Sequence, residues 1–285
     1  MADSTHHSDS KFNASPAWKK VLLSRVAANT EQQGKGATYL SLATVRTDNT
    51  PSNSTVSFTG FAGEDPTEET GWQSDLLTIS CDKRSSKVAD IAFNSSYEAN
   101  WILSGTNEQF RIRGRLHAIG QDIEPTSDLD SHIARKKIHL FKGDKDDETD
   151  FGDKLSQATK SFLNRIKSQL HHPGKKRKFD WEAERLRQWH RLSNDARAWY
   201  TWPTSGTAKD DELPRIESLE IGDSNEEGWF VNEDKDKQAL LERGYENFAV
   251  LFLEVDEVEH YAIEKNERSL YKKQEKEWTK QSLNI

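Results

Sequence analysis

The alternating run Phe110 to Ile119, FRIRGRLHAI, constrains this chain more than any other stretch. Phe110, Ile112, Gly114, Leu116 and Ala118 fall on one face and Arg111, Arg113, Arg115 and His117 on the other, which is the pattern of a half-buried antiparallel strand. Gln109 stands at its entrance, after the turn-forming Ser104-Gly105-Thr106-Asn107. Upstream, Leu76 to Cys81 is a short apolar run that predicts a buried strand, and Lys83, Arg84, Ser85, Ser86 and Lys87 follow at once. Val88, Ile91 and Ala92 then recur at helical spacing, with Ser85 or Ser86 as the N-cap. Unpaired backbone N–H groups, a positive dipole end, two hydroxyls and nearby cations together compose a phosphate site. The plainer alternative is a solvated turn whose charges do nothing, since charged residues are mostly exposed.

The order of strand, basic SxK turn with helix, strand, turn, Gln, and strand with RIxG resembles the FMN-binding split barrels related to pyridoxamine 5'-phosphate oxidase. YLSLATVRTDNTPSNSTVSFTGF at Tyr39 to Phe61 is similar to that family's first hairpin. WEAERLRQWHRLSNDARAWYTWP at Trp181 to Pro203 and FAVLFLEVDEVEHYAI at Phe248 to Ile263 resemble a branch of the superfamily known mainly from uncharacterised sequences. The resemblance implies an α+β, mainly β fold: an FMN-binding split β-barrel with peripheral helices. In that scheme residues 1–14 are disordered, and 15–285 form one domain with hydrophilic insertions at 121–180 and 204–247.

It also implies a homodimer with FMN at the subunit interface and a small-molecule substrate. Arg84, Ser85, Ser86 and Lys87 would hold the phosphate, with Ser80 and Cys81 at the end of the preceding strand and Ser54 on the second strand. Gln109 would hydrogen-bond the isoalloxazine edge, and Tyr261 and Arg268 would close the site from the second subunit. The family's second strand supplies basic residues; here those positions are Ser54 and Thr59, so two hydroxyls stand where two cations would pair with a dianion. Either Lys83, Arg84 and Lys87 suffice, or cofactor binding is weakened or lost. Arg191, Ser193 and Arg197 are of the right type to hold a substrate phosphate, with helix capping and surface decoration as their plainer roles. No side chain stands out as a general base, and hydride chemistry on a flavin does not demand one.

Composition limits the other function classes. Hydrophobic residues are 33% of 285, so a compact core must coexist with long hydrophilic excursions. The net charge of −8 argues against a general nucleic-acid surface. A single cysteine, Cys81, excludes an internal disulfide framework and suits a reducing compartment. No apolar run reaches a membrane span and the polar start MADSTHHSDS is no signal peptide, so a cytoplasmic location is expected. The tetrad Lys175, Lys176, Arg177 and Lys178 offers nuclear import as the alternative, against a solvated loop. His171 and His172 are adjacent, with no ligand at metal spacing beside them, so no metal site is expected.

The remaining pattern fills in the frame. Ser15-Pro16 starts a helix with the stripe Trp18, Val21, Leu22 and Val26 to about Asn29, predicted to close one end of the barrel. Tyr39 to Arg46 and Asn53 to Phe58 are strands joined around Asp48-Asn49, and Tyr97 to Leu103 is another, with Trp101 inside. Phe162, Leu163, Ile166 and Leu170 mark an amphipathic helix. Trp181 to Leu192 is amphipathic through Ala183, Leu186 and Trp189, Ser193 starts a second short helix, and Trp278 and Leu283 are placed to dock on the barrel. Three readings follow: an FMN-dependent oxidoreductase, a split-barrel protein that holds FMN or another flat ligand without turnover, and a cofactor-free dimeric scaffold.

Overall fold

The structure, a computed structural model, describes residues 15–66, 70–136, 178–209, 215–275 and 277–285. The start of the chain, the helix expected around Phe162 to Leu170, the His171-His172 pair and Lys175 to Arg177 lie outside the described residues.

Helix α1 (Ala17–Gln33) leads into the hairpin β1 (Tyr39–Val45) and β2 (Pro51–Phe61). Then come β3 (Trp72–Ser74), β4 (Leu77–Asp82), α2 (Ser86–Phe93), β5 (Ser96–Leu103), β6 (Glu108–Gly120) and β7 (Ile133–Arg135). Beyond residue 177 lie α3 (Trp181–Arg191), α4 (Asn194–Trp199), β8 (Asp223–Ser224), β9 (Phe230–Val231) and α5 (Lys235–Asn247). Three consecutive strands, β10 (Phe248–Ala262), β11 (Glu267–Gln274) and β12 (Glu277–Leu283), finish the chain.

The strand order β10-β4-β2-β1-β5-β6 closes when β6 pairs antiparallel with β10 along nearly its whole length, giving the expected mainly β split barrel. Closure leaves no free edge among these strands, while β11 and β12 extend from β10 as a flap. Hydrophobic alternation sets which side faces in: Leu40 and Leu42, Val56 and Phe58, Ala99 and Trp101, and Phe110 and Ile112 are all buried in the central core. At one end α1 inserts Trp18 and Leu22, both fully buried, and Trp101 Nε1 donates to the Ala37 carbonyl at 2.9 Å. Trp278 of β12 meets Trp18 edge-on at 5.6 Å, so the C-terminal strand does dock there. At the other end α2 sits against β1, where Thr44 Oγ1 donates to Asp90 Oδ2 at 3.3 Å.

Gly114 explains the glycine of RIxG. It faces a bulge in β10 between Val255 and Glu257, and a Cβ placed on it would sit 1.9 Å from the Glu254 carbonyl oxygen. Only a residue without a side chain lets β6 and β10 approach this closely.

A second aromatic core covers the outer face of β4 and β10. Trp189 of α3 packs against Tyr200, Phe230, Tyr245 and Phe248, with ring centroids 5.3 to 6.2 Å apart. Several details differ from the sequence-based expectation. The stretch 204–247 contains α5, which buries Leu241 and Tyr245 on the side of α3, because one apolar pair at i, i+4 suffices to dock a helix that is otherwise largely polar. In α3 Ala183 is exposed and Arg185 is buried instead, donating to the carbonyls of Phe248 and Tyr245. The stretch from Val258 to Ala262 runs on as part of β10.

Residues after β6 are tied to the barrel by a polar network. His132 Nδ1 lies 2.8 Å from Asp75 Oδ1 and its Nε2 lies 3.2 Å from Glu254 Oε1, while His117 Nε2 lies 2.9 Å from Glu254 Oε2. Burial alone would lower the His132 pKa, but hydrogen bonds to Asp75 and Glu254 outweigh it and raise it to about 9. The two imidazoles hold the Glu254 carboxyl well below the usual carboxylate range. Among the described residues no helix is long and apolar enough to cross a membrane, and no group of three His, Cys, Asp or Glu side chains is arranged to hold a metal.

Candidate functional site

The turn from β4 into α2 presents its charges unequally. Ser85 takes the N-cap position, yet no side chain caps α2, and the Ser86 and Lys87 amides open the helix without an acceptor among the described residues. The Ser85 hydroxyl lies 3.2 Å from Cys81 Sγ, and Cys81 itself is buried in the barrel core, where burial pushes its thiol pKa up. Cys81 thus meets the turn from the core side, through Ser85. Ser80, one residue earlier, lies on the opposite face of β4, where its hydroxyl faces that of Tyr200.

Arg84 differs most from a free phosphate ligand. Its Nε and Nη2 clamp Asp82 at 3.0 and 2.6 Å, and Nη2 also donates to the Trp202 carbonyl at 2.9 Å. Such a fork is largely satisfied internally, and it pins the segment after α4 to the turn. Lys83 has only Asp122 at 3.9 Å, and Lys87 has no hydrogen bond or ion pair among the described residues. Positive charge at the helix start thus rests on Lys87 and Lys83. Asp82, two residues before Arg84, was the readable sign that this guanidinium would be neutralised locally.

On β2, Ser54 pairs with Leu42 and shares the inward-facing row of Val56 and Phe58. Thr59 Oγ1 lies 3.0 Å from the Thr78 carbonyl and 2.9 Å from the Thr78 hydroxyl, bridging the β2–β4 bulge. Its hydroxyl serves the sheet. Gly60, at φ +135°, follows it, and the Arg191 guanidinium of α3 stands over this glycine, 3.6 Å from where a Cβ would be.

Gln109, Tyr261 and Arg268 come from three strands and fall in one row. Tyr261 is paired with Gln109 across β10–β6 and with Arg268 across β10–β11. Gln109 Nε2 donates to Asn100 Oδ1 at 2.6 Å, and Arg268 Nη2 to Glu259 Oε1 at 2.8 Å, while Arg268 Nε is buried without a partner. This row lies at the far end of β10 from Phe248, the residue paired with Asp82. From Phe248 to Tyr261 the strand spans on the order of 40 Å at ~3.3 Å per residue. Within one chain the row and the α2 start are separate.

Of the substrate candidates, Arg197 is 3% exposed and donates to the carbonyls of Leu219 and Leu192 at 2.7 Å, so it holds the α4 region together. Ser193 stands at the N-cap of α4. Arg191 alone remains half exposed and makes no hydrogen bond among the described residues.

Residues 15–120 match the family described as "Pyridoxamine 5'-phosphate oxidase, FMN-binding domain". Over these residues the chain is similar to that FMN-binding domain. Over 102 residues the chain is 37% identical to "Pyridoxine/pyridoxamine 5'-phosphate oxidase 2" of Arabidopsis thaliana, covering 36% of this chain and 46% of that protein. The chain therefore spans about half the length of that curated relative. A crystal structure of a "pyridoxamine 5'-phosphate oxidase-related, FMN binding protein" from Nostoc punctiforme shares the fold, with a TM-score of 0.56 at 20% identity over 94% of this chain and 98% of that one.

FMN is the cofactor of this domain family, and the residues present fit it. The uncapped α2 amides and the unpaired Lys87 suit a phosphate, and the orphaned Arg268 Nε suits an acceptor on a ring. Against them stand the two β2 hydroxyls, of which Thr59 is already committed to Thr78.

Proposed function

We propose that the protein is an FMN-dependent oxidoreductase acting on a small molecule, and that it works as a homodimer. The observation behind this reading is the uncapped start of α2 with Lys87 beside it, an anion seat that no group of the described chain fills. The Ser86 and Lys87 amides and the Lys87 ammonium would hold the phosphate, with Lys83 adding field. Arg84 would act indirectly, by fixing the Trp202 segment against the turn. Gln109, Tyr261 and Arg268 would orient the ring. Because that row is roughly 40 Å along β10 from the phosphate end, one chain cannot bring both ends to one mononucleotide, which favours a site shared by two copies. When bound, the flavin supplies the two-electron redox chemistry, and the protein's task is orientation and electrostatics.

A second reading is favoured by Ser54 and Thr59: a split-barrel protein that holds FMN without turnover. Purified protein should be yellow, and Lys87→Ala should weaken FMN binding roughly 10- to 150-fold, the equivalent of one charge-assisted bond of about 1.5–3 kcal/mol. Arg84→Ala should cost less than Lys87→Ala in affinity. Equal FMN dissociation constants for wild type and Lys87→Ala, read by quenching of flavin fluorescence, would remove the α2 start from the site. Flavin reduction by NAD(P)H, or peroxide release with pyridoxamine 5'-phosphate, separates the oxidoreductase from the binding protein.

A further inference from the structure

We infer that the β8–β9 hairpin is a docking face for a basic polypeptide segment of another protein, one that carries an apolar side chain among Lys or Arg residues. The inference is independent of the FMN reading, because the hairpin belongs neither to the α2 start nor to the row around Gln109. Alternation along the chain puts Phe230 inward, where it is 5% exposed and packs on Trp189 and Tyr245. Trp229 and Val231, on either side of it, turn outward and are 37% and 43% exposed. Trp229 meets Tyr245 edge-on, with ring centroids 5.5 Å apart, and leaves much of its indole bare.

The hairpin presents these side chains in one arrangement. Asn225 Oδ1 accepts from the Glu227 and Trp229 amides at 3.0 and 2.9 Å, and the Asn225 amide donates to the Trp229 carbonyl at 2.9 Å. His190 Nε2 lies 3.0 Å from the Gly228 carbonyl oxygen, which ties the turn to α3. Order of this kind lowers the entropy that binding must remove, and an exposed indole on such a turn has the character of an interface anchor.

Charge decides what can cover it. Between residues 217 and 246 stand ten Asp and Glu against three Lys and Arg, so nearly all of the chain's net charge of −8 lies on this lobe. Asp223 is the cross-strand partner of Val231, Glu226 and Glu227 form the tip, and Glu242 and Glu246 flank Tyr245 on α5. All five are exposed, and none takes part in an ion pair among the described residues. On β10, by contrast, Glu254, Glu257 and Glu259 are each paired with a basic side chain. An unneutralised acidic rim repels nucleic acid, anionic lipid headgroups and the same face of a second copy. The apolar centre in turn offers little to a simple cation. A Lys- and Arg-rich segment with an aliphatic or aromatic residue in its midst satisfies both rim and centre.

The test titrates full-length protein into a fluorescein-labelled peptide of alternating lysine and leucine, followed by anisotropy, with lysine-serine and glutamate-leucine peptides as comparisons. The lysine-leucine peptide should bind about tenfold or more tighter than either comparison, and its affinity should fall with added salt. Trp229→Ala, and Glu226→Lys combined with Glu227→Lys, should each weaken it about tenfold or more. Val231→Ser, which alters no buried side chain, should weaken it severalfold and replaces Trp229→Ala if circular dichroism shows that variant unfolded. Absence of binding by wild type overturns the inference. Unchanged affinity in the Trp229 and Val231 variants also overturns it, since charge attraction alone would then account for binding. Binding that appears only after Lys175, Lys176, Arg177 and Lys178 are changed to serine overturns it as well, because the chain's own basic tetrad would then be what covers the face.

Discussion

Gly114→Ala tests the closure on which every site described above depends. The added methyl would lie 1.9 Å from the Glu254 oxygen, 2.9 Å from its carbonyl carbon and 3.1 Å from the Asp256 nitrogen. All three are backbone atoms of β10, so no rotamer change relieves the clash, and the strands must part by about 1.5 Å to reach ordinary contact. That displacement also draws the Glu254 carbonyl from the Tyr97 hydroxyl, which donates to it at 3.2 Å. Overpacking costs about 1–3 kcal/mol, and the lost hydrogen bond about 1 kcal/mol, so a destabilisation of about 2–4 kcal/mol is expected. At this chain length the melting temperature should fall by roughly 4–16 °C. Gly36→Ala is the control, since nothing lies within 4 Å of its Cβ position, and it should shift stability by no more than about 0.5 kcal/mol. Thermal melts followed by circular dichroism, with urea titrations alongside, supply the comparison. Melting of Gly114→Ala within ~2 °C of the control would show that β6 and β10 are not held at the register described.

Other outcomes follow from the same structure. Mixing Lys87→Ala with Arg268→Ala protein should regenerate one intact FMN site per mixed dimer, recovering up to about a quarter of wild-type flavin uptake at random assortment; no recovery would argue against a site built from two chains. His132, whose folded pKa of about 9 exceeds its ordinary 6.5, contributes stability that is fully present below pH 6.5 and lost as pH rises through about 9. Glu254 acts in the opposite sense, its contribution present above its ordinary value and lost as pH falls. His132→Gln should therefore flatten the alkaline side of a urea-midpoint profile, and an unchanged profile would refute this assignment. Trp278→Ala should cost about 2–4 kcal/mol by removing the edge-on contact with Trp18, and a melting temperature equal to wild type would mean that β12 contributes nothing to the closed end.

Much of the barrel was legible in the sequence because strand faces are written with period two. Phe110 to Leu116, Leu40 and Leu42, and Tyr97 to Trp101 each declared which side faces in, and the SxK turn declared a helix start. Local chemistry of this kind depends on residues only a few positions apart. Three things were settled by tertiary structure alone. The Arg84 guanidinium is committed to Asp82 and the Trp202 carbonyl, the latter more than a hundred positions away in the chain. Gly114 is required because the β10 bulge brings the Glu254 carbonyl against it. Arg191 lies over Gly60 only because the aromatic cluster around Trp189 docks α3 on the barrel's outer face. Periodicity fixes a residue's direction on its own element, whereas the partner it meets is chosen by how the elements pack.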